Sequence, residues 1–562
     1  MKWTAGLLLC WAFLSGLGFA QTSLPDSSRA PQSVPLQRPY DAPGIVPLSV
    51  LEKGKIGWIY SEPYGLQEVD EVHPLGYFGA PLVQKNLPWR SFSGVTQPSW
   101  LGVSTLARPI AHIPVWESPI PITAFQSVAG TPSGQWFGFQ SGFAVHPRCF
   151  VSGSFHRANV KGMYTGQATT WDRAHITSQW SDSTGDWRIK GVFQRVAWNG
   201  KENGGVLSTE ELDSADSYQP NRALVETYWS HSTSQWVQNA WDVWVYHKRF
   251  FMQVDGHFDA RGVQLETTGF DSISFLRQRI MGGISKGRWQ ASVGLTRAAH
   301  RIDTARAPQI LWMPTASIQR RTPHSMLSSH VYVLDNLRPY WDVEWNAKQG
   351  KVFSHHGLSG KRHGASLTFP LSKNRGHFQV QSQIATHWSV PTGVGYLAPL
   401  QWDTAVFTGH VLAQWTQEFP ITPKWGIHWK GTAQYTTHAL HSPVPRWQYQ
   451  AGFQGNYRFK TWKVDGRWKI WAEGWSAYYA PSYDPKTGLF VMQSGWNPED
   501  RKLSSAKVVV RGCLEAQLQH AVVYLLLDNV TQGWGPGVVY EAPNQPMADG
   551  QVRWGIRWVL FN

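Results

Sequence analysis

From about residue 118 to its end, the chain falls into segments of 9 to 14 residues that alternate strictly between apolar and polar positions. Trp425, Ile427, Trp429, Gly431, Ala433 and Tyr435 share one face, against Gly426, His428, Lys430, Thr432, Gln434 and Thr436. Trp447, Tyr449, Ala451, Phe453, Gly455, Tyr457 and Phe459 oppose Gln448, Gln450, Gly452, Gln454, Asn456 and Arg458. Trp462, Val464, Gly466, Trp468, Ile470 and Ala472 oppose Lys463, Asp465, Arg467, Lys469, Trp471 and Glu473. A period of two over such lengths is the signature of β-strand. Similar segments occur at 187–197, 341–347, 376–388, 401–416, 505–513, 517–527 and 551–561. Globular strands average ~5 to 6 residues, whereas 11 residues at ~3.3 Å each, tilted ~45°, cross an apolar band ~25 Å tall.

A half-buried strand of a soluble sandwich or propeller also alternates. Two features favour the membrane. Aromatics stand at the ends of the apolar faces, as at Trp447 and Phe459, where interfacial girdles place them. The opposite faces carry charge in mid-strand, at Lys463, Asp465, Arg467 and Lys469, which a lumen wall accepts and a sandwich core does not. No blade-length repeat is visible. The sequence therefore predicts an all-β protein, a transmembrane antiparallel β-barrel of about 14 to 18 strands. The final strand is amphipathic and ends on an aromatic: Val552, Trp554, Ile556, Trp558 and Leu560 alternate with Arg553, Gly555, Arg557 and Val559 before Phe561. That is the form of a barrel-closing strand.

Composition agrees. Charged residues are 16% and Trp is 33 of 562, while no apolar run near ~18 residues follows the extreme N-terminus, which excludes a polytopic helical membrane protein. The formal charge of +14 is scattered without a run of five or six, so no nucleic-acid arm is indicated. Three cysteines make neither a disulfide scaffold nor a Cys-based zinc site, and the spacing of Cys149 and Cys513 leaves their pairing open.

Residues 1–20 read as an export signal: Lys2 before an apolar stretch from Leu7 to Leu17, then Gly18-Phe19-Ala20. Residues 21–50 form a Pro-rich lead-in, with Pro25, Pro31, Pro35, Pro39, Pro43 and Pro47 forbidding helix and central strand. Residues 51–117 are mixed and read as a periplasmic or lumen-associated segment. The barrel is expected over 118–562.

The last forty residues, from Leu527-Asp528-Asn529-Val530 through Trp554-Gly555-Ile556-Arg557-Trp558 to Phe561-Asn562, resemble the closing end of outer-membrane barrels of the Bacteroidota. Leu75-Gly76-Tyr77-Phe78-Gly79-Ala80-Pro81 is similar to the LGxxGxP-type segment of that phylum's "putative porin" family, and Glu202-Asn203-Gly204-Gly205-Val206 resembles its ENGG(I/V) motif. The resemblance covers roughly residues 70 to 562. It implies the Gram-negative outer membrane, porin-like diffusion and no catalytic set. TonB-dependent transporters share the barrel texture, but they need a folded plug of well over a hundred residues, and no plug-like βαβ pattern precedes the strands here.

Other chemistry finds little support. His355-His356, close to His363, has no HExxH spacing, and the acidic stretch Glu210-Glu211-Leu212-Asp213-Ser214-Ala215-Asp216 fits no EF-hand. No GxSxG elbow is present, and no enzyme or cofactor is expected. Trp236, Trp241 and Trp244 suit sugar stacking, with a lipid-facing girdle as the simpler use. The expected partners are outer-membrane lipids and lipopolysaccharide, the outer-membrane barrel assembly machinery and small hydrophilic solutes, and no nucleic acid. Pore-lining candidates are Lys430, Arg458, Lys463, Asp465, Arg467, Lys469, Glu473, Lys507, Arg511, Arg553 and Arg557. Nine of these are positive and two negative, which predicts weak anion selectivity.

Overall fold

Strict alternation over ten or more residues leaves a strand with one oily and one wet face, and a closed sheet in a bilayer satisfies both along its whole length. The computed structural model of the chain has this form. It describes residues 45–47, 72–74, 82–84 and 115–117. From 121 to 561 it describes all except 131–133, 163–167, 203–231, 266–268, 303–308, 323–324, 334–338, 348–349, 358–359, 372–375, 389–404, 423–424, 437–444, 460–463, 480–481, 485–488, 492–505, 519–520, 532–539, 543–544 and 547–549. The expected signal at 1–20, most of the segments 21–50 and 51–117, the motif at 75–81 and the acidic stretch at 210–216 lie outside the described residues.

Among the described residues, 22 antiparallel strands close into one barrel. In chain order they are β1 Ile122–Gly130, β2 Gly134–His146, β3 Cys149–Val160, β4 Thr169–Ser181, β5 Trp187–Glu202, β6 Ser232–His247, β7 Phe250–Leu265, β8 Gly269–Lys286, β9 Trp289–Ile302, β10 Gln309–Arg321 and β11 Ser325–Val333. There follow β12 Pro339–Ala347, β13 Gly350–Gly357, β14 Gly360–Leu371, β15 Gly376–Trp388, β16 Ala405–Thr422, β17 Trp425–Thr436, β18 Trp447–Phe459, β19 Val464–Trp475, β20 Lys507–Leu518, β21 Ala521–Asp528 and β22 Gln551–Phe561. Each strand pairs with its sequence neighbour. β22 returns to β1 in a register running from Arg553↔Gly130 to Phe561↔Ile122.

Twenty-two strands correct the expected 14 to 18. The excess comes largely from β11 to β14, four strands of 8 to 12 residues with short connections. Their alternation is interrupted, as at His355-His356-Gly357, so only 341–347 reads clearly as a strand in the sequence.

The barrel is inverted relative to a soluble protein. On β4, Thr169, Trp171, Arg173, His175 and Thr177 are buried, whereas Ile176 between them is 56% exposed. Phe155, Phe193, Val293 and Leu295 face outward, while Ser154, His156, Gln194, Ser292 and Thr296 face inward. Polar side chains are tied across the inner ladder, as in Ser152 Oγ–Thr177 Oγ1 at 2.6 Å and Ser154 Oγ–His175 Nδ1 at 2.8 Å. Such a distribution is stable only where hydrocarbon wets the outside.

The two ends differ. Connections such as 147–148, 248–249, 287–288 and 519–520 are tight, whereas 203–231, 389–404, 476–506 and 529–550 are long. Short turns face the periplasm and long loops the exterior in such barrels, so the start of β1 and the end of β22 share the periplasmic end.

The abundance of Trp has a local cause. Trp241, Trp415 and Trp468 stand directly across from Gly256, Gly431 and Gly455. A Cβ added at any of those glycines would overlap the indole. Each ring lies flat over a neighbouring glycine and fills the gap in the outer wall, as aromatics do for glycine in designed sheets.

Ahead of β1, Ile45–Pro47 pairs in parallel with Val115–Glu117, and Val72–Pro74 pairs with Leu82–Gln84 on either side of the 75–81 motif. The strand Val115–Glu117 lies against β2, β3 and β4.

Candidate functional site

The inner wall gathers polar chemistry away from lipid, and two patches of it hold most of the buried charge among the described residues. The first spans β5 to β8. Alternation on β6 and β7 sends Gln238, Asp242 and Trp244 inward from one strand and Gln253, Asp255, His257 and Asp259 from the next. Asp242 and Asp255 are direct cross-strand partners, an arrangement that like charges disfavour unless each is compensated. Asp255 accepts hydrogen bonds from Arg277 Nη2 at 3.0 Å and Arg279 Nε at 2.5 Å, both from β8. Asp242 accepts from Gln253 Nε2 at 2.9 Å and Trp244 Nε1 at 2.7 Å. Lys190 on β5 is buried in the same wall, opposite Trp244 in the ladder. The Trp236 indole donates to Asp259, and Gln238 Nε2 lies 3.3 Å from His257 Nε2.

The second patch spans β19 to β22. Arg511 on β20 donates from Nη1 to Glu473 at 2.9 Å and from Nε to Asp528 at 2.7 Å. Arg553 on β22 donates from Nη2 to the other oxygen of Asp528 at 2.9 Å. The chain of alternating charge, Glu473–Arg511–Asp528–Arg553, therefore crosses four strands beside the seam where β22 meets β1. Glu515 stands opposite Arg467 in the ladder, and the Lys469 ammonium sits 4.8 Å from the centre of the Trp471 ring. Charge-assisted bonds of this kind are the stronger ones, and in a half-shielded wall they fix side-chain positions firmly.

The sequence candidates fall as follows. Asp465, Arg467, Lys469 and Glu473 take the inward positions of β19, Lys507 and Arg511 those of β20, and Arg553 and Arg557 those of β22. Lys430 and Arg458 occupy the alternate positions of β17 and β18 expected to face inward, with Arg458 opposite Asp465; of these two only the backbone register is described. Lys463 lies outside the described residues. Trp554 and Trp558 on the closing strand face outward, with Phe125 of β1 5.5 Å from Trp558 between ring centres.

Sequence reasoning missed two things. The acids Glu515 and Asp528, which sit among the cations of β20 to β22, were not counted with them. The first patch was missed entirely, although Gln253, Asp255, His257 and Asp259 carried the signal as four polar residues at a spacing of two. A lipid-facing girdle also proves wrong for two of three tryptophans. Trp241 faces outward, but Trp236 is buried inside and Trp244 is hydrogen-bonded within the first patch. Cys149 on β3 and Cys513 on β20 are not joined in a disulfide.

With the geometry in place, comparison with known proteins adds the following. Residues 473–562 match the family model described as "Putative porin". That stretch contains the chain Glu473–Arg511–Asp528–Arg553 and the closing strand. No curated protein sequence matches the chain. Among solved structures, the chain is similar to the FrpB iron transporter of Neisseria meningitidis, F5-1 variant, at 10% identity and a TM-score of 0.55 over 79% of this chain and 83% of that one. It is similar to a variant of the ferric enterobactin receptor PfeA of Pseudomonas aeruginosa at 8% identity and a TM-score of 0.55, over 80% and 81%. It is also similar to the siderophore receptor PirA of Acinetobacter baumannii at 7% identity and a TM-score of 0.54, over 79% and 82%. At such identities the likeness is one of fold. The chain has the fold of a Gram-negative outer-membrane β-barrel.

Proposed function

We infer that this barrel is a channel for passive diffusion of small hydrophilic solutes. The observation that carries the reading is the set of polar inward side chains spread around the wall of a closed 22-stranded barrel, from Ser152 and Thr177 on one side to Gln434, Gln448 and Arg553 on the other. A barrel of this size is too wide for its own side chains to fill.

Residues 51–117 would narrow the lumen from one side. In support, Val115–Glu117 lies against β2 to β4, and the inward side chains there, Trp136, Ala158, Val160 and Trp171, are 0–1% exposed. Inward positions on β10 such as Thr315 and Ser317 are more open. Selectivity would be weakly for anions. The described inward residues of β19, β20 and β22 named above carry six positive and two negative charges, and Glu515 and Asp528 reduce that excess from four to two.

Planar-bilayer recording of the purified protein tests the reading. Steps of steady conductance support it, and their absence overturns it. A specific observation favours a second reading, an energised TonB-type transporter, because 22 strands is the size at which such transporters hold a plug. Deleting residues 21–90 separates the two. Silence in the full chain followed by conductance on deletion favours the plugged transporter, and conductance in both favours the channel.

A further inference from the structure

On β3 to β9 the outer wall is largely apolar up to a row of polar and charged side chains. Arg157 on β3, Arg195 on β5 and Arg297 on β9 face outward, and each stands eight residues above the periplasmic end of its strand (157 − 149, 195 − 187, 297 − 289). Asn239 on β6 and Gln278 on β8 stand at the same height (247 − 239, 286 − 278), and Asp172 on β4 one residue higher. Beneath this row the large outward residues include Phe155, Ile176, Phe193, Trp241, Val243, Ile280, Val293 and Leu295. At the turns themselves stand Trp180, Trp187, Phe250 and Trp289, an aromatic girdle for the inner interface. Eight residues at ~3.3 Å, tilted ~45°, rise about 19 Å above that girdle, and an arginine snorkelling upward reaches the far edge of an apolar band ~25 Å tall.

The row runs from β3 to β9. The outward positions of β18 to β22 carry no charge in the sequence at any height. Within the row, cations exceed acids. Arg157 meets Asp172 at 3.6 Å, but this pair is open to its surroundings, with side chains 62% and 45% exposed. Arg297 is braced by Gln278 Oε1 at 3.0 Å and by the Trp312 ring, whose centre lies 5.9 Å away. Arg195 is exposed and makes no ion pair among the described residues. Neighbouring strands stand ~4.8 Å apart, so the row from β3 to β9 spans about 29 Å, wide enough for more than one phosphate.

We propose that this row is a docking surface for the phosphorylated headgroup of an outer-leaflet glycolipid. Its acyl chains would lie on the apolar wall below, and its phosphates would be gripped by Arg157, Arg195 and Arg297. Guanidinium forks match phosphate oxygens in pairs, and at the edge of the hydrocarbon such bonds are little screened. The height fits the exterior leaflet because the tight turns, and with them the lower girdle, mark the periplasmic side. The inference rests on that orientation and holds whether or not the lumen conducts.

The test uses the full chain in a zwitterionic detergent, with native mass spectrometry reading bound lipid. The probes are bis-phosphorylated lipid A, the same lipid with its phosphates removed, and phosphatidylethanolamine. Retention of bis-phosphorylated lipid A at least fivefold above the other two is expected. Arg157→Gln, Arg195→Gln and Arg297→Gln together should abolish that preference, while the three Arg→Lys changes keep part of it. Arg320→Gln, outward at the periplasmic end over the Trp289 ring, should leave it unchanged. Equal retention of the dephosphorylated lipid, or an undiminished preference in the triple Gln variant, would overturn the proposal. Should the triple variant fail to assemble, Arg195→Gln alone carries the test, and unchanged binding there refutes it.

Discussion

Asp528 is the most exposed point of the second patch to perturbation by design, because one carboxylate serves two arginines. Its two oxygens accept from Arg511 Nε at 2.7 Å and Arg553 Nη2 at 2.9 Å, and the side chains are only 13% and 8% exposed at the arginines and 17% at the acid. Asp528→Asn keeps the volume, removes the charge and leaves an amide nitrogen facing one guanidinium. Arg511 keeps Glu473 at 2.9 Å, so half of the damage is buffered. Hydrogen bonds to charged groups contribute ~1.5 to 3 kcal/mol each, and breaking a buried pair costs ~3 to 5 kcal/mol, so with one arginine still paired the expected loss is about 2 to 3 kcal/mol. The assay is urea unfolding of the barrel refolded into lipid vesicles, read by heat-modifiable gel migration. The unfolding midpoint should fall, and Glu473→Gln should lower it further in the same background. The pair Asp528→Asn and Arg553→Gln should be strongly non-additive. A midpoint within experimental scatter of the native protein, or simple additivity, would refute the network as a source of stability.

Other perturbations separate the two faces. Val293→Arg, at an outward position 69% exposed, should cost ~2 to 4 kcal/mol and impair assembly, while Ser292→Lys beside it on the inner face should be tolerated; matched unfolding curves for the two would contradict the inverted barrel. Gly455→Ala places a Cβ against Trp468 and should cost ~1 to 3 kcal/mol, with a change in near-ultraviolet circular dichroism as the indole is displaced. Neutralising Arg467 and Lys469 together should reduce any anion preference in a KCl gradient; an unchanged reversal potential would remove this face from selectivity. In the turn after β4, the Asp182 carboxyl is held below the usual carboxylate range, chiefly by the Thr184 hydroxyl at 2.6 Å. A depressed folded pKa means that the turn's ordering is present above the unfolded value and is lost as pH falls through the folded one. Thr184→Ala should therefore move the Asp182 titration upward, as followed by its side-chain carbon shift.

How much of this was legible in the sequence depends on which interactions are local. The bounds of β17, β18 and β22 coincide with the alternating segments because nothing interrupts the period of two between their turns. Elsewhere the pattern misleads: 517–527 reads as one strand but straddles the connection at 519–520, since Leu518 and Ala521 continue the apolar texture across it. Which face a residue takes follows from parity along one strand, so the inward placement of Arg467, Lys469, Arg511 and Arg553 could be read. What each of them meets could not. Arg511 reaches Glu473, 38 positions away, and Asp528, 17 away, through a register set by whole-strand pairing.

The pairing changes what the cations can do. A wall of unopposed arginines would raise a strong positive potential in the lumen, but a chain in which Glu473, Arg511, Asp528 and Arg553 alternate in sign nearly cancels at the distance of a passing solute. Its position suggests a different use. It joins four consecutive strands next to the contact between β22 and β1, the last pairing a barrel must make and the one whose failure leaves an open sheet edge in lipid. Cross-strand ion pairs fix register, because a slip of one residue turns every member to the wrong face. On this argument the paired residues hold the closure, and selectivity is left to inward charges outside the chain, Lys469 and Lys507 foremost. The two roles come apart in one comparison: Arg553→Gln should lower stability with little effect on reversal potential, and Lys507→Gln should do the opposite.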